Sequence, residues 1–72
     1  MAWEEFPKFD SSNIQGIRYD ADQMLLEVTF KNGAIYEYFD VQSHVIDEFK
    51  MSDTMGGFLA KRIKGHYRYS KV

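Results

Sequence analysis

The feature that most restricts this chain is a pair of strand-like runs joined by Lys31-Asn32-Gly33. Residues 24–30 (MLLEVTF) and 34–39 (AIYEYF) carry β-branched and aromatic side chains in partial alternation, as strands with one buried face do. Asn-Gly between such runs is a strong hairpin signal because both residues tolerate positive φ. With Asn32-Gly33 as the turn, Phe30 pairs with Ile35, Val28 with Glu37 and Leu26 with Phe39, and these six share the predicted core face. Glu27, Thr29, Lys31, Tyr36 and Tyr38 then take the opposite face. Glu37 is out of place on an apolar face. A bulge, a sheet-edge position or a register one residue away would resolve it, and the last exchanges the two faces completely.

Upstream, residues 13–20 (NIQGIRYD) read as a further strand, joined to the hairpin by Ala21-Asp22-Gln23. Downstream, Asp40 is the predicted N-cap of a helix over 41–50, with Val41, Val45 and Phe49 as its apolar stripe. Residues 51–57 read as a loop ending in Gly56-Gly57, and 58–64 as a second helix stopped by Gly65. Residues 66–72 (HYRYSKV) alternate again and return as a strand with Tyr67 and Tyr69 on one side. The predicted architecture is α+β, a small antiparallel β-sheet with two short helices in the order β-β-β-α-α-β.

A chain of 72 residues holds one small core, and without cysteine it has no disulfide or thiolate metal site to reinforce it. Hydrophobic residues at 44% supply that core. No apolar run approaches the roughly 20 residues that span a bilayer, and the acidic start MAWEEF lacks the basic flank of a signal peptide, so a soluble, cytoplasmic protein is expected.

The net charge of -2 conceals a division. Residues 1–53 contain all eleven acids and four cations, a balance of -7, whereas 54–72 contain Lys61, Arg62, Lys64, Arg68 and Lys71 with no acid, a balance of +5. One basic surface on an acidic body points to a compact anionic ligand or a short stretch of RNA rather than a general nucleic-acid coat. On a helix over 58–64, Lys61 and Lys64 share a face, Arg62 lies beside Phe58, and Arg68 follows on the next strand. That set forms a phosphate cradle in which Gly56-Gly57 lets backbone amides approach the anion. The plainer alternative is a solvated helix end whose cations complement the dipole. Tyr67 and Tyr69, interleaved with Arg68, fit base stacking as well as packing, while Tyr36 and Tyr38 fit core packing better than stacking. Ser12, with Ser11, either donates to a phosphate or shapes the strand entry.

These residues resemble the KTSC domain. The resemblance rests on SSNIQGIRYD, LLEVTF, Gly33, the central Tyr36-Glu37-Tyr38, Gly56, and the run from Ile63 to Tyr69, and it covers residues 10–72. Gln42, Ala60 and Lys64 depart from residues common in that family. The family takes its name from the C-terminus of some lysyl-tRNA synthetases and also occurs as small standalone bacterial and phage proteins. The resemblance implies a single domain over 10–72 behind an aromatic N-terminal extension over 1–9, with RNA binding as the suggested role.

Catalysis finds little support: no nucleophile elbow or phosphate-binding loop occurs, and His44 and His66 lie on different elements. No metal and no cofactor is implied. The expected function is therefore a non-enzymatic binding module for RNA or a small nucleotide, with sequestration of a nucleotide signal by a phage-type protein as one form. The alternative is a protein-interaction or homo-oligomeric assembly module built on Trp3, Phe6 and Phe9, three large rings that need to cover either the core or a subunit interface.

Overall fold

The computed structural model describes Trp3 to Val72. It contains β1 (Trp3–Glu5), β2 (Ile14–Asp20), β3 (Leu25–Phe30), β4 (Ile35–Tyr38), α1 (Ser43–Lys50), α2 (Met55–Phe58) running on into a π-helical turn (Leu59–Ile63), and β5 (Tyr69–Lys71). The strands form one five-stranded antiparallel sheet in the order β1-β2-β3-β4-β5. The α+β class is as expected, with one more strand than the sequence reading gave. That strand, β1, lies in the segment set apart as an extension. Its Glu4 pairs with Tyr19, the Phe6 amide donates to the Ile17 carbonyl at 2.9 Å, and Phe6 is part of the core.

The β3–β4 register corrects the sequence reading by one residue. Leu26 faces Tyr38, Glu27 faces Glu37, Val28 faces Tyr36 and Thr29 faces Ile35. The loop explains the shift. The Gly33 amide donates to the Phe30 carbonyl at 2.9 Å and the Phe30 amide to the Ala34 carbonyl at 2.8 Å, so three residues turn rather than two. Gly33 has φ +92° while Asn32 stays out of the left-handed region. This is the type I turn closed by a left-handed glycine, not the two-residue turn that needs both residues at positive φ. Tyr36 and Tyr38 therefore join Leu26 and Val28 on the helix-facing side, and Glu37 moves to the open side beside Glu27. The Glu37 anomaly disappears with the shift.

Asp40 does not cap α1. It sits in the left-handed region at φ 60°, and the N-cap is Gln42, without a side-chain bond. The reason is the neighbouring Val41, which is fully buried. Its amide donates to the Met24 carbonyl at 2.9 Å and its carbonyl accepts from the Tyr19 hydroxyl at 2.6 Å, so the helix starts only beyond this anchor. Gly56-Gly57 likewise is not loop but lies inside α2. The Thr54 hydroxyl accepts from the Gly57 amide at 3.1 Å, and a Cβ at Gly57 would lie 2.5 Å from that oxygen. Glycine is what lets this cap close.

The helices lie on one face of the sheet, and Phe49 sits at the centre of their contact with it. It is fully buried, meets Phe6 edge-on at 5.1 Å between centroids and stacks on Phe58 at 4.7 Å. One ring thus joins the N-terminal segment, α1 and α2. Replacing it with alanine removes three sets of contacts in a small core, and Phe49→Ala is expected to lose about 3–5 kcal/mol in urea unfolding. A loss under about 1 kcal/mol would show that the core does not turn on this ring.

Candidate functional site

The register that brings Tyr36 and Tyr38 to the helix side also places β5 beside them. Tyr38 pairs with Tyr69 and Tyr36 with Lys71, and antiparallel partners share a face. This end of the sheet is not roofed by the helices, and a cleft of about 860 Å³ opens over it. Its volume is in the range of small-ligand sites.

Aromatic rings make one wall. Phe30 meets Tyr36 edge-on at 5.6 Å, and Tyr69 lies 5.7 Å from Tyr36 and 5.9 Å from Tyr38. Tyr69 is 60% exposed, leaving ring surface open to the cleft. The charges are of one sign: Lys31, Lys64 and Lys71 line the cleft and no acid does. None of the three forms an ion pair among the described residues. Lys31 Nζ donates to the Ser11 carbonyl at 2.6 Å, and Lys64 Nζ stands 5.8 Å from the Phe30 ring centre. Ser12, Asn13 and Asn32 complete the polar rim.

Of the residues singled out from sequence, the structure brings Ser12, Tyr36, Tyr38, Lys64 and Tyr69 together. Lys61, Arg62, Tyr67 and Arg68 lie outside the cleft. Arg62 pairs with Glu48 at 3.0 Å and stacks on Phe58 at 5.0 Å. Arg68 pairs with Asp40 at 3.0 Å and covers Phe39 at 5.6 Å. Tyr67 packs half-buried against the core, and Lys61 is exposed. The expected common face of Lys61 and Lys64 fails because this turn is π-helical. The Lys64 amide reaches back to the Leu59 carbonyl at 2.8 Å, one residue further than in an α-turn, so i and i+3 no longer align. Nor does the Gly57 amide stand ready for an anion, since the Thr54 hydroxyl takes it. Ser11 shapes the strand entry, its hydroxyl accepting from the Ile14 amide at 3.2 Å.

Lys31, Lys71, Phe30, Asn13 and Asn32 were not identified from sequence. Lys71 carried a signal, since alternation through Tyr69-Ser70-Lys71 puts it on the face of Tyr69. Lys31 carried none, because its place depends on the turn type.

The family model of the KTSC domain matches residues 10–67. The chain belongs to the KTSC domain family. The crystal structure of a KTSC domain protein from Yersinia pestis superposes with a TM-score of 0.86 at 32% identity, covering 99% of each chain. An uncharacterized protein of Stutzerimonas stutzeri is 35% identical over 63 residues, 86% of this chain and 89% of the relative. A lysine–tRNA ligase of a Nostoc species is 34% identical over 65 residues, which is 90% of this chain but 12% of the ligase. A ligase of Trichormus variabilis matches over the same share, at 32%.

Two phenols of this KTSC domain ionise late. Burial pushes Tyr38 above the usual tyrosine value, helped by Tyr36 and Tyr69, and burial followed by the charge of Asp20 does the same to Tyr19. The charged form is the deprotonated one. Stability from these groups is therefore complete below about pH 10 and is lost as pH rises through their native values. In an alkaline titration, the last phenolate absorbance is expected to appear together with loss of far-ultraviolet circular dichroism. Ionisation of all five tyrosines before the fold melts would contradict the assignment.

Proposed function

We propose that this KTSC domain is a non-enzymatic binding module for a phosphate-bearing ligand, RNA or a small nucleotide, held in the cleft between the β3–β4 hairpin, the end of the π-turn and β5. The observation that carries the reading is the lining itself: Lys31, Lys64 and Lys71 without an acid, against a wall of Phe30, Tyr36, Tyr38 and Tyr69. Three ammonium groups without an ion-pair partner among the described residues repel each other around one cleft, and an anion offsets that repulsion. The exposed Tyr69 ring beside them offers stacking to a base, worth about 1–3 kcal/mol by alanine substitution. Binding rather than turnover fits a lining with no histidine, aspartate or glutamate to act as general base.

The relatives named lysine–tRNA ligase favour RNA within this reading, while the acidic remainder of the chain favours a short contact over a long one. The assembly alternative is weakened because its rings are engaged within the chain. Phe6 is buried, Phe9 packs against the core, and Trp3 lies under the Arg18 guanidinium at 4.1 Å.

The double variant Lys64→Glu/Lys71→Glu is expected to weaken binding of a fluorescent single-stranded RNA at least tenfold with the circular dichroism spectrum retained. Lys61→Glu changes it little. For wild type, log affinity against log salt should fall with a slope of about -2, as three neutralised phosphates on a single strand require. Equal affinity of the double variant and wild type would remove the cleft from the reading.

A further inference from the structure

The core pairs its buried polar groups with one exception. The Tyr19 hydroxyl donates to the Val41 carbonyl, and the fully buried Asp20 accepts from the Asp22 amide at 3.0 Å and from Gln23 Nε2 at 2.8 Å. Tyr38 is only 3% exposed, yet its hydroxyl has no partner among the described residues. The oxygen is not sealed, since no fully buried side-chain polar atom lacks a hydrogen bond, and the surface that Tyr38 contributes to is the cleft. Packing has thus fixed the ring between Leu26 and Tyr69 on the neighbouring strands and left over one polar atom, in a residue that lines the cleft.

We propose that the Tyr38 hydroxyl is the group by which the cleft selects an unpaired nucleobase, hydrogen-bonding to a polar atom on the base edge while the base stacks against Tyr69 and the phosphate meets the lysines. This rests on the phosphate-ligand reading above and names the part of the ligand that the lysines cannot distinguish. A ligand entering the cleft removes the hydroxyl from solvent. One with no polar atom at that point leaves it unsatisfied, which is how a buried hydroxyl discriminates between otherwise similar ligands. A tyrosine hydroxyl both donates and accepts, so purine and pyrimidine edges are admitted. A base paired in a duplex is not, because its edge is occupied.

The test compares wild type with Tyr38→Phe, which keeps the ring and deletes one unpaired oxygen. The probes are fluorescent oligo(A), oligo(U) and an abasic oligomer of equal length. Wild type is expected to bind the base-bearing oligomers about a hundredfold tighter than the abasic one, stacking and the hydrogen bond each contributing about tenfold. Tyr38→Phe should cut that preference to about tenfold, the part that stacking supplies, while leaving abasic affinity and the thermal midpoint unchanged. Displacement of the oligomers by AMP or UMP would identify a free nucleotide as the source of the base, and failure of displacement a strand. The proposal is overturned if Tyr38→Phe keeps the full wild-type preference for bases, or if it weakens the abasic oligomer equally and lowers the midpoint, as a packing role would. If no oligomer or nucleotide binds wild type, the phosphate-ligand reading itself falls.

Discussion

The left-handed glycine at Gly33 decides more of this molecule than any residue of its core. At φ +92° it closes a three-residue loop, and the loop length sets which residues of β4 face Leu26 and Val28. Had the turn used two residues, Glu37 would point at the helices and both tyrosines at solvent. With three, Tyr36 and Tyr38 line the cleft and Glu37 stands opposite Glu27 on the open face. Two like charges opposite each other are unfavourable, but Arg18 relieves them by binding both oxygens of Glu27, at 2.6 and 3.1 Å. The alternative register would bury a carboxylate without such a partner, and that cost is what makes the observed register the stable one.

A sheet of five strands spans roughly 19 Å between its outer strands, and α1, with eight residues, is only about 12 Å long. The helices cannot cover the whole face. Where they settle follows from burial on one side, where Phe49 is gripped by Phe6 and Phe58, with the exposed Lys50–Glu4 pair at 2.6 Å a minor addition. The β4–β5 end is the part left without a roof, and a cleft there follows from a shortage of helix as much as from any dedicated device. What distinguishes it from a mere packing gap is its chemistry. Arg18, Lys50, Arg62 and Arg68 are each paired with an acid, while among the described residues the three lysines of the cleft are not.

Much of the fold was legible in the chain. The hairpin, the helix over Val45 and Phe49, the stop at Gly65 and the return strand follow from period, turn residues and propensity, and dispersed motifs indicated the family. The failures share a cause, which is that local signals were outvoted by contacts distant in sequence. Asn-Gly permits two loop lengths, and only the pairing of the whole sheet selects one. Asp40 is a good cap by composition, but Val41 is held by Met24 and Tyr19 across the fold. A strand of three residues at β1 is too short to show a period. In the site, a count of cations could not tell which had partners: Arg62 and Arg68 stood out as phosphate ligands, yet Glu48 and Asp40 already occupy them. Lys31, outside the basic segment, had no reason to be counted.

The π-turn decides where Lys64 stands. Leu59 and Ile63 are both buried, which an α-helix also allows for residues four apart. The difference comes after them. By taking one extra residue before closing its hydrogen bond, the turn delivers Lys64 at its end, where ψ is 129° and the helix is over. Gly65, left-handed at φ +81°, then reverses the chain toward β5. An α-helical ending would have kept Lys64 in line with Lys61, among the solvated cations of the outer face. The π-turn instead places its ammonium 5.8 Å from the Phe30 ring, on the cleft that Lys31 and Lys71 also line, so the irregular hydrogen bond is repaid where the cleft gains its third positive charge.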